Sequence, residues 1–223
     1  MDPDQHWLDW HREYDDPSSS LSRRRRVVQG FLRRILAELP PSDDPIRLAP
    51  GEPIRLLSMC AGDGSDVLEV LASLRSGPPV RALLVELDPE LADRARAEAS
   101  RLELTEVLVR TADAGHSASY AELAPAHVVL ACGVFGNISF ADVRQTIDAL
   151  PGLLRPGGQV IWTRGRGADD LDASQPVRQL FAERGFTELG FTAPEDARFR
   201  VGWHRLDRPA ATELPARLFR FIR

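Results

Sequence analysis

The chain has 223 residues, 43% hydrophobic and 27% charged, with 28 basic against 33 acidic side chains and a net charge of −5. That length suffices for one large α/β domain with a sizeable core. The balance excludes a disordered or collagen-like chain and argues against a dedicated nucleic-acid binder, which carries a basic excess. Every Lys-or-Arg position is arginine and Asn137 is the single asparagine, biases that point to a GC-rich, bacterial-type genome. Apolar runs fall far short of the roughly 20 residues needed to cross a bilayer, and the acidic, polar N-terminus is no secretory signal. Cys60 and Cys132 lie in apolar strand-like runs, which speaks against a disulfide framework and for a reducing cytoplasm. Neither they nor the histidines show ligand spacing, so no metal is expected.

In chain order, residues 4–14 read as a short helix carrying Trp7, Trp10 and Tyr14, broken at Asp15-Asp16-Pro17. A stronger helix follows, with Leu21, Val28, Phe31, Leu32, Ile35, Leu36 and Leu39 at spacings of three and four. Its Arg23–Arg26 run spans a whole turn rather than one stripe, which reads as a solvated helix start. Pro40 and Pro41 stop the helix, and prolines continue to Pro53. Residues 1–50 are therefore expected to form a helical lid or extension with a linker, and residues 51–223 the main domain. From Ile54 strands and helices alternate. Strands are expected at 54–60, 80–86, about 105–110, 127–132 and 158–163, with a helix over about 65–75 and a β-rich close over 186–205. Asp88 and Pro89 fit an N-cap and first-turn position. This alternation predicts a doubly wound, mostly parallel sheet.

In such a sheet, ligands bind beyond the carboxyl ends of the strands. Leu56–Gly64 ends in Cys60-Ala61-Gly62-Asp63-Gly64, where the glycines permit a sharp turn and close approach of a ligand, although glycine turns after strands are common. Asp63 either faces a cationic group or favours a helix N-terminus. Glu86 ends the second strand, followed by Leu87; its carboxylate can accept two ribose hydroxyls. Asp113 and Ala114 follow the third strand, where an aspartate can accept from an adenine amino group or organise a turn. Cys132, Gly133 and Asn137 follow the fourth strand, and Leu153–Gly158 leads into the next.

These five elements, in this order, resemble the class I S-adenosylmethionine-dependent methyltransferases across roughly residues 54–205. The family's acid-x-Gly-x-Gly-x-Gly motif aligns with Ser58, Cys60, Gly62 and Gly64, with Ser58 replacing the acid and Cys60 the first glycine. The resemblance implies a single seven-stranded sheet closed by an antiparallel hairpin over Phe186–Phe191 and Arg198–Leu206. It implies S-adenosylmethionine as cofactor and S-adenosylhomocysteine as product, with Glu86 on the ribose, Asp113 on the adenine and the methyl group beside Cys132–Asn137. A nicotinamide fingerprint would need a third glycine where Val67 stands.

Methyl transfer needs alignment of an in-line nucleophile more than elaborate acid–base groups. Asn137 is the first candidate for contact with the reacting groups, the alternative being a cap for the helix beginning near Ser139. His116 is the preferred candidate base beside His11 and His204, each with a structural role as its alternative. Trp162 and Arg164, at the end of the fifth strand, are expected as pocket walls, although a surface arginine is the plainer reading of Arg164. Tyr14, followed by Asp15-Asp16, resembles N-terminal stretches that reach the cofactor's carboxylate in some family members, the alternative being burial of Trp7, Trp10 and Tyr14 on the flank of the sheet. The overall expectation is a cytoplasmic enzyme, monomeric or homodimeric, that methylates a small molecule by direct displacement and has no membrane association. An RNA or protein methyltransferase, or a cofactor-binding protein without transferase activity, are the alternatives.

Overall fold

A computed structural model describes residues 16, 18–38, 52–74, 77–166, 172–208 and 213–222. The expected helix over residues 4–14, with Tyr14 and His11, and the proline-rich segment up to Gly51 lie outside the described residues. The chain runs α1 (Ser20–Glu38), β1 (Ile54–Met59), α2 (Leu68–Ser73), β2 (Val80–Glu86), α3 (Pro89–Arg101), β3 (Val107–Thr111), a 3₁₀ turn (Ser117–Tyr120) and β4 (Ala126–Ala131). It continues with α4 (Phe140–Leu153), β5 (Leu154–Gly165), α5 (Ser174–Glu183), β6 (Phe186–Thr192) and β7 (Phe199–Leu206).

The seven strands form one sheet in the order β3-β2-β1-β4-β5-β7-β6. The pairings among β1 to β5 are parallel, and β7 runs antiparallel to both β5 and β6. This is the doubly wound sheet that the sequence pattern predicts, with the closing hairpin that the resemblance implies. Successive residues of a strand face opposite ways, and the core divides accordingly. Leu57, Met59, Val129 and Ala131 join α4 and α5 through Ile147, Leu150 and Phe181. Leu56, Val128 and Leu130 join α1, α2 and α3 through Leu32, Leu68 and Ala95. All six residues of β4 are buried, as expected of a central parallel strand covered on both faces.

Helix α1 begins where Ser19 Oγ accepts from the Ser22 amide at 3.0 Å. Val28, Leu32 and Ile35 are fully buried in the same cluster as β1 and β2, so this helix belongs to the core rather than standing off it. Phe31 packs on Trp203 with ring centroids 5.4 Å apart. Of the arginine run, Arg23 pairs with Asp196 at 2.9 Å, but Arg24 is buried. A full turn covers every direction around the axis, so one of four successive residues must face inward.

Two elements differ from the sequence expectation. The helix after the glycine turn starts only at Leu68, because Val67 and Leu68 both donate to the Gly64 carbonyl and complete the turn first. β5 starts at Leu154: Ala126 pairs with Leu154 and Val128 with Gln159, so the Leu-Arg-Pro-Gly-Gly segment is a bulge within the strand, with Gly157 at φ +72°. Asp88 caps α3 as expected, Oδ1 accepting from Glu90 and Leu91 amides at 2.8 and 3.1 Å, with Pro89 in the first turn. Among the described residues, no helix is long and apolar enough to cross a membrane.

Two histidines lie wholly inside. His127 Nδ1 accepts from the Arg55 amide at 2.9 Å, and His204 Nδ1 accepts from Trp162 Nε1 at 3.2 Å. Burial foremost lowers both from 6.5 to about 4; the Arg155 and Arg55 guanidiniums add to this for His127, while Glu188 opposes it for His204. Between those two pH values the unfolded chain binds more protons, so stability is lost as pH falls from 6.5 to 4. Each shift corresponds to about 3 kcal/mol. Urea unfolding followed by tryptophan fluorescence is expected to show a midpoint that drops steeply across that window, with a shallower drop in His204→Gln. A midpoint level from pH 6.5 to 4 would mean that neither ring is shielded from water.

Candidate active site

The strand order reverses between β1 and β4, and the loops leaving their carboxyl ends border the crevice there. The loop after β1 turns through three left-handed residues, Cys60, Gly62 and Gly64, at φ +52°, +57° and +79°. For a residue with a Cβ that conformation costs roughly 1–2 kcal/mol. Cys60 therefore keeps the backbone path of the glycine it replaces. The Ala61 amide donates to the Val85 carbonyl at 3.0 Å, and Asp63 Oδ1 accepts from the Ser65 amide at 3.0 Å, so Asp63 organises the turn locally. At Gly64 a Cβ would stand 2.8 Å from Leu68 Cδ1 and 3.0 Å from Leu84 Cδ2.

Glu86 is buried at the end of β2. Its Oε2 accepts from the Gly62 amide at 2.8 Å, and its Oε1 from the Leu87 and Asp88 amides at 2.8 and 2.9 Å. A carboxylate offers about four lone-pair sites, so three donors leave it able to accept again. Beside it Leu87 is 62% exposed, an apolar surface at the mouth of the crevice.

Asp113 follows β3. Its Oδ1 accepts from the Gly115 amide at 2.7 Å and its Oδ2 from Arg217 Nη1 at 2.7 Å. Burial pushes this carboxyl up, but the Gly115 amide and the Arg217 guanidinium outweigh it and hold the group below the ordinary aspartate range. Ala114 is buried, and its carbonyl accepts from the Tyr120 hydroxyl at 2.6 Å. His116, expected as a base, bonds through Nε2 to Arg217 Nη2 and lies 3.7 Å from Asp113 Oδ2. It sits on the adenine side of the crevice implied by the resemblance, beside Asp113, rather than at the end of β4.

The loop after β4 is held from three sides. Gly133, at φ +73°, donates its amide to Thr163 Oγ1 at 2.8 Å, and Arg164 Nη1 donates to the Phe135 carbonyl at 2.6 Å. Asn137 Nδ2 donates to the Gly133 carbonyl at 2.8 Å and closes the loop on itself. Ser139, not Asn137, caps α4, its Oγ accepting from the Asp142 amide at 3.1 Å. Arg164 is half-buried, and burial draws its pKa down. Trp162 corrects the sequence expectation: its side chain is fully buried, stacked on Phe181 with centroids 6.0 Å apart and donating to His204. It belongs to the α4/α5 layer, and His204, buried there with it, is removed from any proton transfer at the crevice.

Burial pushes the thiols of Cys60 and Cys132 well above their ordinary value, with Glu86 and Asp113 adding to it at Cys60 and Asp66 at Cys132. Sequence reasoning missed three groups: Arg217, Asp66 and Arg24. Asp66 has a buried Oδ1 without a hydrogen-bond partner; burial raises its pKa and the Arg24 charge on α1 opposes that. The absence of an acid at Ser58 was the one available signal for a carboxylate elsewhere in this loop.

Gly64 and Gly133 both have positive φ, but a Cβ on Gly133 would meet nothing within 4 Å. Gly64→Ala is expected to cost about 3 kcal/mol from strain and overpacking together, lowering the melting temperature by about 10 °C. Gly133→Ala, with strain alone, is expected to cost about 1 kcal/mol. Equal shifts for the two in a thermal melt would contradict the close packing at Gly64.

Residues 57–160 match the family described as methyltransferase domain. Among solved structures, magnesium protoporphyrin IX methyltransferase from Synechocystis PCC 6803 with bound SAM is similar over 90% of this chain and 90% of that one, at 14% identity and a TM-score of 0.61. An rRNA methylase from Streptococcus thermophilus is similar over 80% and 95% of the two chains, at 12% identity and a TM-score of 0.57. An O-methyltransferase family protein from Burkholderia thailandensis covers 80% of this chain and 56% of its own, at 16% identity and a TM-score of 0.56. At these identities the likeness is one of fold. No curated protein matches the chain in sequence. The domain match falls on the strands and loops that build the crevice, so this part of the chain is a methyltransferase domain.

Proposed function

We propose that this methyltransferase transfers a methyl group from S-adenosylmethionine to a small molecule by direct displacement, in a bacterial cytoplasm, releasing S-adenosylhomocysteine. The residues at the crevice suit that cofactor. Glu86 is fixed by three amides and keeps acceptor capacity for a ribose hydroxyl, while Leu87 offers an apolar face. Asp113, held ionised, is an acceptor for the adenine amino group. The left-handed turn from Cys60 to Gly64 is the proposed seat of the methionyl end, and Gly133 borders open space at the end of β4.

When bound, S-adenosylmethionine supplies a methyl group on a positively charged sulfur. What the chain supplies is alignment: Thr163, Arg164 and Asn137 fix the loop after β4, so an acceptor resting on it meets a rigid surface. Both nearby thiols stay protonated and do not compete as nucleophiles. The acidic net charge supports a small acceptor over a polyanion. Of the structural neighbours, one is named for magnesium protoporphyrin IX and another for rRNA, and the charge favours the former class.

The observation that carries this reading is the Glu86 carboxylate, buried, triply bonded and still able to accept. Calorimetry is expected to show micromolar binding of S-adenosylhomocysteine, weakened at least about tenfold in Glu86→Ala, and no binding of NADH. A preference for NADH, or an unchanged affinity in the variant, would overturn it. Salt-dependent retardation of RNA in a gel would move the acceptor from small molecule to nucleic acid.

A further inference from the structure

We infer that Arg217 sets the base specificity of the cofactor site by fixing the Asp113 carboxylate; this rests on the assignment of Asp113 to the adenine. The segment from Ala216 to Ile222 crosses both loops of the crevice. Ser117 donates its amide to the Ala216 carbonyl at 3.2 Å, Leu218 donates to the Gly115 carbonyl at 2.7 Å, and Ile222 donates to the Asn137 carbonyl at 2.9 Å. Short antiparallel bridges join His116 to Arg217 and Ile138 to Phe221. From α4, Gln145 Nε2 donates to the Arg217 carbonyl at 2.7 Å. The approach is close enough that a Cβ on Gly115 would lie 2.4 Å from the Phe219 carbonyl oxygen. Main-chain bonds thus hold the segment in place, and the Arg217 side chain is not needed for that.

The guanidinium instead spans two side chains of the β3 loop, Asp113 through Nη1 and His116 through Nη2. Asp113 then has one donor on each oxygen, Gly115 on Oδ1 and Arg217 on Oδ2. Each oxygen keeps a lone pair, and the plane of the carboxylate is set by two fixed donors. The Asp113 side chain is 40% exposed, so with only the Gly115 amide it would be free to swing toward water. A fixed carboxylate is an acceptor alone. It bonds the amino group of adenine and repels the carbonyl oxygen that hypoxanthine presents at the same place. Arg217 is a positioning residue in this scheme, acting through Asp113.

The test is calorimetry on the full chain with S-adenosylhomocysteine and its deaminated counterpart, S-inosylhomocysteine. The wild type is expected to prefer the adenine form by about tenfold or more, the scale of one hydrogen bond to a charged group. Arg217→Ala is expected to bring the two affinities within about threefold, chiefly by weakening the adenine form. Arg217→Lys, with a single nitrogen in place of the two-armed fork, is expected to fall between and serves if the alanine variant does not fold. A ratio unchanged in Arg217→Ala, with both ligands weakened equally, would show a structural staple and overturn the inference while leaving the Asp113 assignment intact. A wild type indifferent to the base would overturn that assignment and the inference with it. No binding of S-adenosylhomocysteine by the wild type would instead overturn the cofactor reading beneath both.

Discussion

Three amide hydrogens converge on the Glu86 carboxylate, and the geometry of the crevice depends on that convergence. Gly62 belongs to the loop after β1, while Leu87 and Asp88 begin the turn after β2. Parallel pairing brings the two strand ends side by side, but pairing alone leaves the loops beyond them free. A buried carboxylate cannot remain without donors, since an unsatisfied charge away from water is costly. The loops are therefore drawn to the acid, and the acid is held still by the loops. Charge-assisted bonds of this kind are short and directional, so the plane of the carboxylate is set by its three donors.

The sheet makes this possible by burying both of its faces. Because alternate residues of β1, β2 and β4 feed two separate apolar layers, the strands cannot slip by one residue without exposing the core on both sides. Helix α1 adds to the layer formed with α2 and α3 and also reaches the glycine turn. Gln29 Nε2 donates to the Ser65 carbonyl at 2.9 Å and to Glu69 Oε2 at 2.8 Å. A helix that reads as an appendage in sequence is in this way bonded to the residues that follow the glycine turn.

What could be read in the sequence follows the range of the physics involved. The strands from Ile54 to Ala131 show as apolar runs, and the Asp88 cap and the glycine turn are local patterns, so their positions were legible within a few residues. Glu86 was legible because its place at a strand end fixes its neighbourhood. Arg217 was not: it meets Asp113 across 104 positions, and nothing in the segment around it marks a partner. Trp162 was misread for a related reason. Its place at the end of a strand was correct, but which face it occupies depends on the phase of β5, which composition does not show. Arg24 was hidden inside a run of identical charges, where only the fold decides which member faces inward.

That phase has a consequence for how the crevice tolerates change. Along β5, residues Arg155 to Gly158 have only His127 opposite them, so the bulge is slack in the pairing between β4 and β5. An insertion or deletion there can be taken up by a larger or smaller loop, with Gln159 still opposite Val128. The same change placed beyond Gln159 has no slack to absorb it. A slip of one residue that carried Trp162 into the place of Thr163 would turn an indole toward Gly133 and leave Ile161 where the indole packs on Phe181. The five residues from Gln159 to Thr163 are thus a ruler whose zero is set at Gln159, and the loop after β4 is read from its far end.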